Sequence, residues 1–245
     1  MFTAAEPTFR PWTGKSTQEM FRIDISERLF IIEFGGSMRP RDSIKAENIR
    51  KKALEMLVIE GLDAFSMQKL ARSAGVSPAT LYIYYEDRED LLYQLWLEQF
   101  QALSGIVLED FDPAASFEAG LWIQWRNRIR FFREHPLEWR FLEQVMHSAA
   151  HDKYQAKAEN PIGDSMGTFV GNAIQRGELT DFGMGGAESS DYPREVLWAL
   201  LFAPLYALLH ACAGASGAVP ASPSQKDIEL AFKCVVRGLR PEPAR

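Results

Sequence analysis

The chain has 245 residues, 47% hydrophobic and 12% aromatic. That is enough apolar material to bury the core of one or two domains, and it excludes disorder over the whole length. With 27 Lys+Arg against 33 Asp+Glu, the formal net charge is −6, which excludes a strongly basic protein that coats nucleic acid indiscriminately.

No basic stretch followed by an apolar run and a small-residue cleavage site opens the chain, so no signal peptide is read. The first 37 residues show neither helical period nor cap and read as a poorly ordered extension or a start-site artefact, since Met38 opens a plausible start of its own. Within them "RLFIIEFGG" could form a short strand, but it has no evident pairing strand.

From there the apolar residues recur at helical spacing. The pattern predicts helices over 43–60, 67–74, 78–84, 88–108, 114–134, 136–150, 161–176, 193–213 and 225–239. Pro78, Pro113, Pro136, Pro161 and Pro193 read as helix starts, where a missing N–H is harmless and the fixed φ suits the helix. Gly61, Gly75 and Gly177 read as stops. No alternating strand pattern and no fixed-period repeat is found, and the expected fold class is all-α. "GMGGAESSD" at 183–191 and "GASGAVPASPS" at 214–224 read as loops.

The run "VLWALLFAPLYALLHACAGA" has about 20 residues without a charge, the length of a membrane span. Pro204 and His210 interrupt it and no Lys/Arg cluster flanks it, so a helix buried in protein is the preferred reading and no membrane partner is expected. Cys212 and Cys234 lie in apolar surroundings without metal-like or redox spacing. They read as core packing in a reducing, cytoplasmic compartment.

Function concentrates in "SMQKLARSAGVSPATLYIYYEDREDLL", from Ser66 to Leu92. Gly75 ends one short helix, Val76 packs under the corner, and Ser77 caps a second helix that Pro78 begins. Two short helices joined by such a turn make a helix-turn-helix. Met67, Leu70, Ala71 and Ala74 face inward from the first helix, Val76 and Leu81 from the second, and Ile49 to Leu57 supply the surface beneath. Pro78, Ala79, Thr80, Tyr82, Ile83 and Tyr84 are left outside. Their apolar groups suit thymine methyls and their hydroxyls suit bases or phosphates. Asp87 with Asp90 reads as a capping box for the next helix, Arg88 stands at its start within reach of a phosphate, and Tyr85 reads as a core aromatic.

The stretch "IRKKALEMLVIEGLDAFSMQKLARSAGVSPATLYIYYEDREDLL" resembles the N-terminal DNA-binding domain of the TetR family of transcriptional regulators, over about 45 residues. By position, the resemblance implies base-edge contacts for Gln68, Ser77, Pro78, Ala79 and Ile83, and backbone contacts for Ser66, Thr80, Tyr82, Tyr84 and Arg88. The family more often has Lys where Arg88 stands and Phe where Tyr85 stands. The implied division is an extension at 1–38, a three-helix DNA-binding domain at 39–92, and a larger helical effector-binding and dimerisation domain at 93–245.

Residues 39–92 carry nine Lys+Arg and nine Asp+Glu, a balance of zero, while 93–245 carry 14 against 19, a balance of −5. Arg39, Arg41, Lys45, Arg50, Lys51 and Lys52 concentrate positive charge in the arm and first helix, which fits site-specific binding by a symmetric pair. One helix-turn-helix reads a half-site, so a pair presents recognition helices about 34–36 Å apart. The last two helices are the natural place to pair, through Trp198, Leu201, Leu205, Leu208, Ile228, Phe232, Val235 and Val236. In the family the corresponding helices of two subunits form a four-helix bundle.

Roughly 150 residues follow the reader, more than pairing needs, and in the family they hold a small-molecule pocket. The expected lining is Trp122, Trp125, Arg126, Phe132, Trp139, Glu143, Gln144, His147 and His151, which suits a largely apolar effector with a few polar anchors. Each aromatic taken singly reads as ordinary core. His147 and His151 are expected on one helix face, but two ligands do not make a metal site. "RNRIRFFREH" reads as a solvated face with a second nucleic-acid surface as the alternative. No Ser/His/Asp order, Gly-rich phosphate loop or cofactor motif is found, so neither enzyme activity nor a cofactor is expected. The implied function is a ligand-responsive repressor that binds a palindromic operator as a homodimer. An effector-independent DNA binder and an enzyme fused to a reader are the alternatives, and activation remains an option beside repression.

Overall fold

The computed structural model describes residues 40–181, 194–212 and 223–241. The expected extension, the strand at 28–36, the loop at 183–191, nearly all of that at 214–224 and the start at Pro193 lie outside the described residues.

Helix α1, Pro40–Glu60, begins three residues before the expected position. It stops at Gly61, where φ is +85° and the N–H closes on Leu57 O at 2.9 Å. Ala46, Ile49, Ala53, Leu54 and Leu57 are buried at three- and four-residue spacing. They meet α2, Met67–Ala74, and α6, Pro136–Met146. Helix α3, Pro78–Tyr84, packs on α2. Helix α4, Arg88–Val107, then runs for 20 residues and carries the chain into the larger helical part.

Helix α5 is Phe117–Glu134, not the expected 114–134. Asp112 Oδ1 takes the Ala114 N–H at 2.8 Å and turns the chain before the helix begins. The orphan Phe117 N–H instead donates to Glu178 Oε2 at 2.6 Å. Arg176 and that N–H hold the Glu178 carboxyl below its usual range.

The expected helix over 136–150 is two pieces. Helix α6 ends at Met146, and α7, Ala150–Gln155, starts anew. Ser148 causes the break, because its hydroxyl donates to Val145 O at 2.8 Å and accepts from Ala150 N at 3.2 Å. His147 and His151 therefore do not share one helix face.

Helix α8, Pro161–Gln175, lies across α5. At the crossing Gly120 lets the buried Phe169 ring rest against the α5 backbone. Helices α9, Arg194–Cys212, and α10, Gln225–Leu239, pack on one another, and α9 also packs on α5. No strand occurs among the described residues, so the all-α expectation holds. No described helix is long and apolar enough to cross a membrane. Both cysteines are free, and Cys234 is exposed, so only Cys212, half-buried, keeps part of the expected packing role.

Candidate nucleic-acid interface and a cleft beside it

The geometry of α2 and α3 follows from four local devices. Ser66 caps α2, accepting from Lys69 N at 3.3 Å. Gly75 closes the helix at φ +68°, a left-handed conformation that a side chain disfavours, and Val76 N bonds Ala71 O at 2.9 Å. Ser77 caps α3, accepting from Thr80 N at 3.2 Å, and its hydroxyl lies 2.9 Å from that of Thr80. From α1, Asn48 adds a donor to Ala74 O at 3.3 Å.

The result is a short helix anchored by one side chain. Leu81 is 0% exposed, whereas Tyr82 is 56% and Ile83 75% exposed. Pro78 and Ala79 are also exposed, as is Gln68 on α2; Thr80, Tyr84 and Ser66 are half-buried. Two large apolar side chains standing in solvent on a rigid, capped helix form a surface suited to a partner. Tyr85 is buried, and burial pushes its phenol up to about 12, which agrees with a core role.

Arg88 is placed differently from its expected role. Its Nε donates to Phe65 O at 3.1 Å and its Nη2 to Leu62 O, so the guanidinium ties the turn between α1 and α2 to the start of α4. Asp87 caps α4 as expected, its Oδ1 taking Asp90 N at 2.8 Å, while the return bond of the expected box falls one residue earlier, from Glu86 N to Asp90 Oδ2 at 2.9 Å. Part of the positive charge expected to meet phosphate is also engaged internally. Arg50 pairs with Glu98 at 3.5 Å and Lys52 with Glu55 at 2.7 Å, while Lys45 and Lys51 are exposed. Arg39 and the Arg41 side chain lie outside the described residues.

A cleft of about 860 Å³ adjoins this unit. Gly61, Leu62 and Asp63 of the α1–α2 turn form one wall; Glu143, Gln144 and His147 of α6 and its end form another; Tyr206, Ala207 and His210 of α9 form a third. Two cross-links brace it. Gln144 Nε2 donates to Val58 O on α1 at 3.2 Å, and His210 Nδ1 lies 3.1 Å from Glu143 Oε1. Of the nine expected pocket residues, only Glu143, Gln144 and His147 line this cleft.

The others are elsewhere. Trp125 is 0% exposed, donates from Nε1 to Leu201 O at 2.9 Å and meets Phe232 edge-on at 5.4 Å. Trp122 is half-buried and meets the same ring at 4.9 Å. Phe132 and Trp139 are core residues 5.6 Å apart. Arg126 points outward, 3.8 Å from Asp110. His151 is half-buried on α7, and its Nδ1 has no hydrogen-bond partner among the described residues. No group of three His, Cys, Asp or Glu suited to a metal occurs among the described residues.

The reading of "RNRIRFFREH" as a solvated face is half wrong. Asn127 and Arg128 are buried, and Asn127 donates to Val107 O and Glu109 O at 3.1 and 2.8 Å. Arg133 is exposed. The signal for Arg128 was present, since it falls on the apolar stripe of Leu121, Trp125 and Phe132. Tyr206 and the α1–α2 turn had no such signal, because only the tertiary fold brings them to α6.

Most of the residues expected to pair two subunits lie inside the single chain. Leu201, Leu205, Ile228, Phe232, Val235 and Val236 are buried within the single chain, and Trp198 and Leu208 are half-buried. What α9 and α10 present outward is Val196, Leu200 at 42% exposed and Leu230 at 61% exposed.

Residues 49–95 match the family model for bacterial regulatory proteins of the tetR family. An HTH-type transcriptional regulator of Haemophilus influenzae is 31% identical over 99 residues, 40% of this chain and 53% of that protein. The chain thus spans about half the length of that curated relative. A TetR family transcription regulator from Marinobacter aquaeolei VT8 superposes with a TM-score of 0.60 at 27% identity, covering 84% of this chain and 100% of its own. A TetR-family transcriptional regulator from Haemophilus influenzae Rd gives 0.59 at 22% identity, covering 83% and 100%, and shares the fold.

Proposed function

We propose, from the match of residues 49–95 to the tetR family model and the likeness to TetR-type regulators, that the chain is a cytoplasmic, homodimeric transcriptional repressor of that family. On this reading it binds a palindromic operator and is released by a small, largely apolar effector, with no catalytic step. The observation that carries the DNA reading is α3, a helix fixed at both ends and by Leu81 that holds Tyr82 and Ile83 in solvent. Apolar and hydroxyl groups so placed fit thymine methyls and phosphate oxygens in a major groove. Arg88 supports this reading by fixing the turn beside α2, and Lys45 and Lys51 remain outside for phosphate.

The test is binding of the full chain to its own upstream intergenic DNA at two salt concentrations. Tight, salt-sensitive binding is expected. Tyr82→Ala lowers the affinity about tenfold or more, the cost of one good groove contact. Because Tyr82 is exposed, the thermal midpoint stays unchanged. Weak binding indifferent to the substitution would remove the proposal.

A second copy of the chain is the occupant proposed for the outward face of α9 and α10. Leu200 and Leu230 stand exposed there on helices whose opposite faces are already filled, and two half-sites require two readers. Leu200→Glu with Leu230→Glu places charges against each other and against apolar surface. The expected result is a folded monomer in sedimentation velocity, with operator affinity reduced more than about tenfold. A dimer unaffected by both changes would place pairing elsewhere.

A further inference from the structure

Among the described residues Arg128, 2% exposed, is the one charged side chain in the buried core. Its Nη1 donates to Gln124 O at 3.1 Å and Gln124 Oε1 at 2.5 Å, and its Nε donates to Tyr206 OH at 3.1 Å. Its guanidinium lies over the Phe202 ring at 4.0 Å and the Trp198 ring at 5.3 Å. All of these acceptors are neutral, and no carboxylate among the described residues pairs with it. Buried charges are ordinarily paired, because a lone ion in a low-dielectric interior loses its hydration without replacement.

A second, independent observation lies beside it. Trp139 Nε1 is buried with no hydrogen-bond acceptor among the described residues, an arrangement that native cores seldom tolerate. Tyr206 joins the two groups: its hydroxyl meets Arg128, its ring lies 5.4 Å from that of Trp139, and it lines the cleft between the α1–α2 turn, α6 and α9.

Neither group lines the cleft itself, but Tyr206 separates both from it; an anionic acceptor entering beside Tyr206 would serve a cation that no carboxylate among the described residues pairs with and a donor left without an acceptor. We infer that Arg128 and Trp139 form the head-group site for an effector that is an organic monocarboxylate. It enters from the cleft past Tyr206, with its apolar body against Leu62, Ala149 and Ala207. One negative charge balances one guanidinium, whereas a dianionic phosphate leaves an excess charge in an aromatic surround. At the rim Asp63 is exposed, where solvent screens it, and Glu143 is engaged by His210. The site also suits the regulator reading on which this inference rests: displacing Tyr206 disturbs a wall that faces the α1–α2 turn, to which Arg88 ties the reader.

The experiment titrates the full-length protein with octanoate and phenylacetate, and with octanamide and phenylacetamide as neutral equivalents, by calorimetry. Operator binding is followed in parallel by anisotropy. Carboxylates are expected to bind about 10- to 100-fold tighter than their amides, the effect of charge-assisted hydrogen bonds. Arg128→Gln reduces that ratio to about one. Trp139→Phe, which keeps an aromatic ring and removes the Nε1 donor, lowers carboxylate affinity about tenfold and that of the amides, whose neutral carbonyl accepts more weakly, by less; it also serves if Arg128→Gln fails to fold. Equal affinity for acid and amide, absence of carboxylate binding, or a ratio that survives Arg128→Gln or Trp139→Phe overturns the site. Carboxylate binding that leaves operator affinity unchanged upholds the site and overturns its regulatory role.

Discussion

Trp125→Ala is expected to lower stability by about 3–5 kcal/mol, the range for truncating a buried aromatic. That is a large share of the roughly 5–15 kcal/mol that holds a typical domain folded. Trp125 is 0% exposed at the junction of α5, α9 and α10, with its ring edge-on to Phe232 and its Nε1 bonded to Leu201 O. Removing it leaves a cavity among three helices and takes from Leu201 O its side-chain donor. Urea unfolding gives the difference directly. Trp125→Phe, which keeps an aromatic ring but loses the indole donor and part of the buried volume, is expected to cost about 1–3 kcal/mol. Equal stability of wild type and Trp125→Ala would show that α9 and α10 do not share this core.

Gly120→Ala is expected to destabilise by about 3 kcal/mol, at the upper end of overpacking costs. The sign is the informative part. Glycine to alanine within a helix ordinarily stabilises by about 1 kcal/mol. Here a Cβ would overlap the Phe169 ring, which cannot swing aside because Phe111 meets it edge-on at 5.3 Å and Phe117 stacks at 5.9 Å. Adding Phe169→Leu should recover part of the loss, and a double-mutant cycle measures that coupling. A stabilised Gly120→Ala protein would mean that α5 and α8 stand further apart than described.

On the proposed reading these two positions set the frame against which an effector acts. Ligand binding shifts a conformational equilibrium only by its differential affinity for the two states, so the cleft must couple to the reader through discrete contacts. Gln144 to Val58 O, and Arg88 to the carbonyls of Leu62 and Phe65, are contacts of that kind. They join α6 and α4 to the last turn of α1 and the turn after it, on which α2 and α3 rest.

The reader was almost wholly legible in the sequence. Gly75, Ser77, Pro78 and Leu81 act within a few residues of themselves: a left-handed cap, an N-cap, a helix-starting ring and one inward side chain. Local chemistry of that range predicted 67–74 and 78–84 to the residue. Where prediction failed locally, a side chain had competed with the helix for backbone partners, as Asp112 does before α5 and Ser148 does after α6. Arg88 was expected at a phosphate because it stands at a helix start and at a backbone-gripping position of the family pattern. The carbonyls that capture it lie 23 and 26 residues away.

The cleft lining and the outward faces of α9 and α10 were the least legible parts, and for one reason. Helical periodicity identifies an apolar side but not what covers it. Leu201, Leu205 and Phe232 are as apolar as a subunit interface requires, yet the chain's own α5 and neighbouring core absorb them, leaving Leu200 and Leu230 outside. The sequence by itself determined the all-helical fold and the reader's turn, because both follow from interactions within one or two helical turns. It carried the resemblance to the TetR family for the same reason, since the motif is contiguous. Only the tertiary structure decided that Arg128 is buried with no carboxylate beside it among the described residues, that Tyr206 stands between it and a cleft beside the reader, and which sides of α9 and α10 face out. Those facts depend on which helices meet across gaps of 60 to 80 residues, for instance Arg128 with Tyr206, 78 apart, and no local pattern records them.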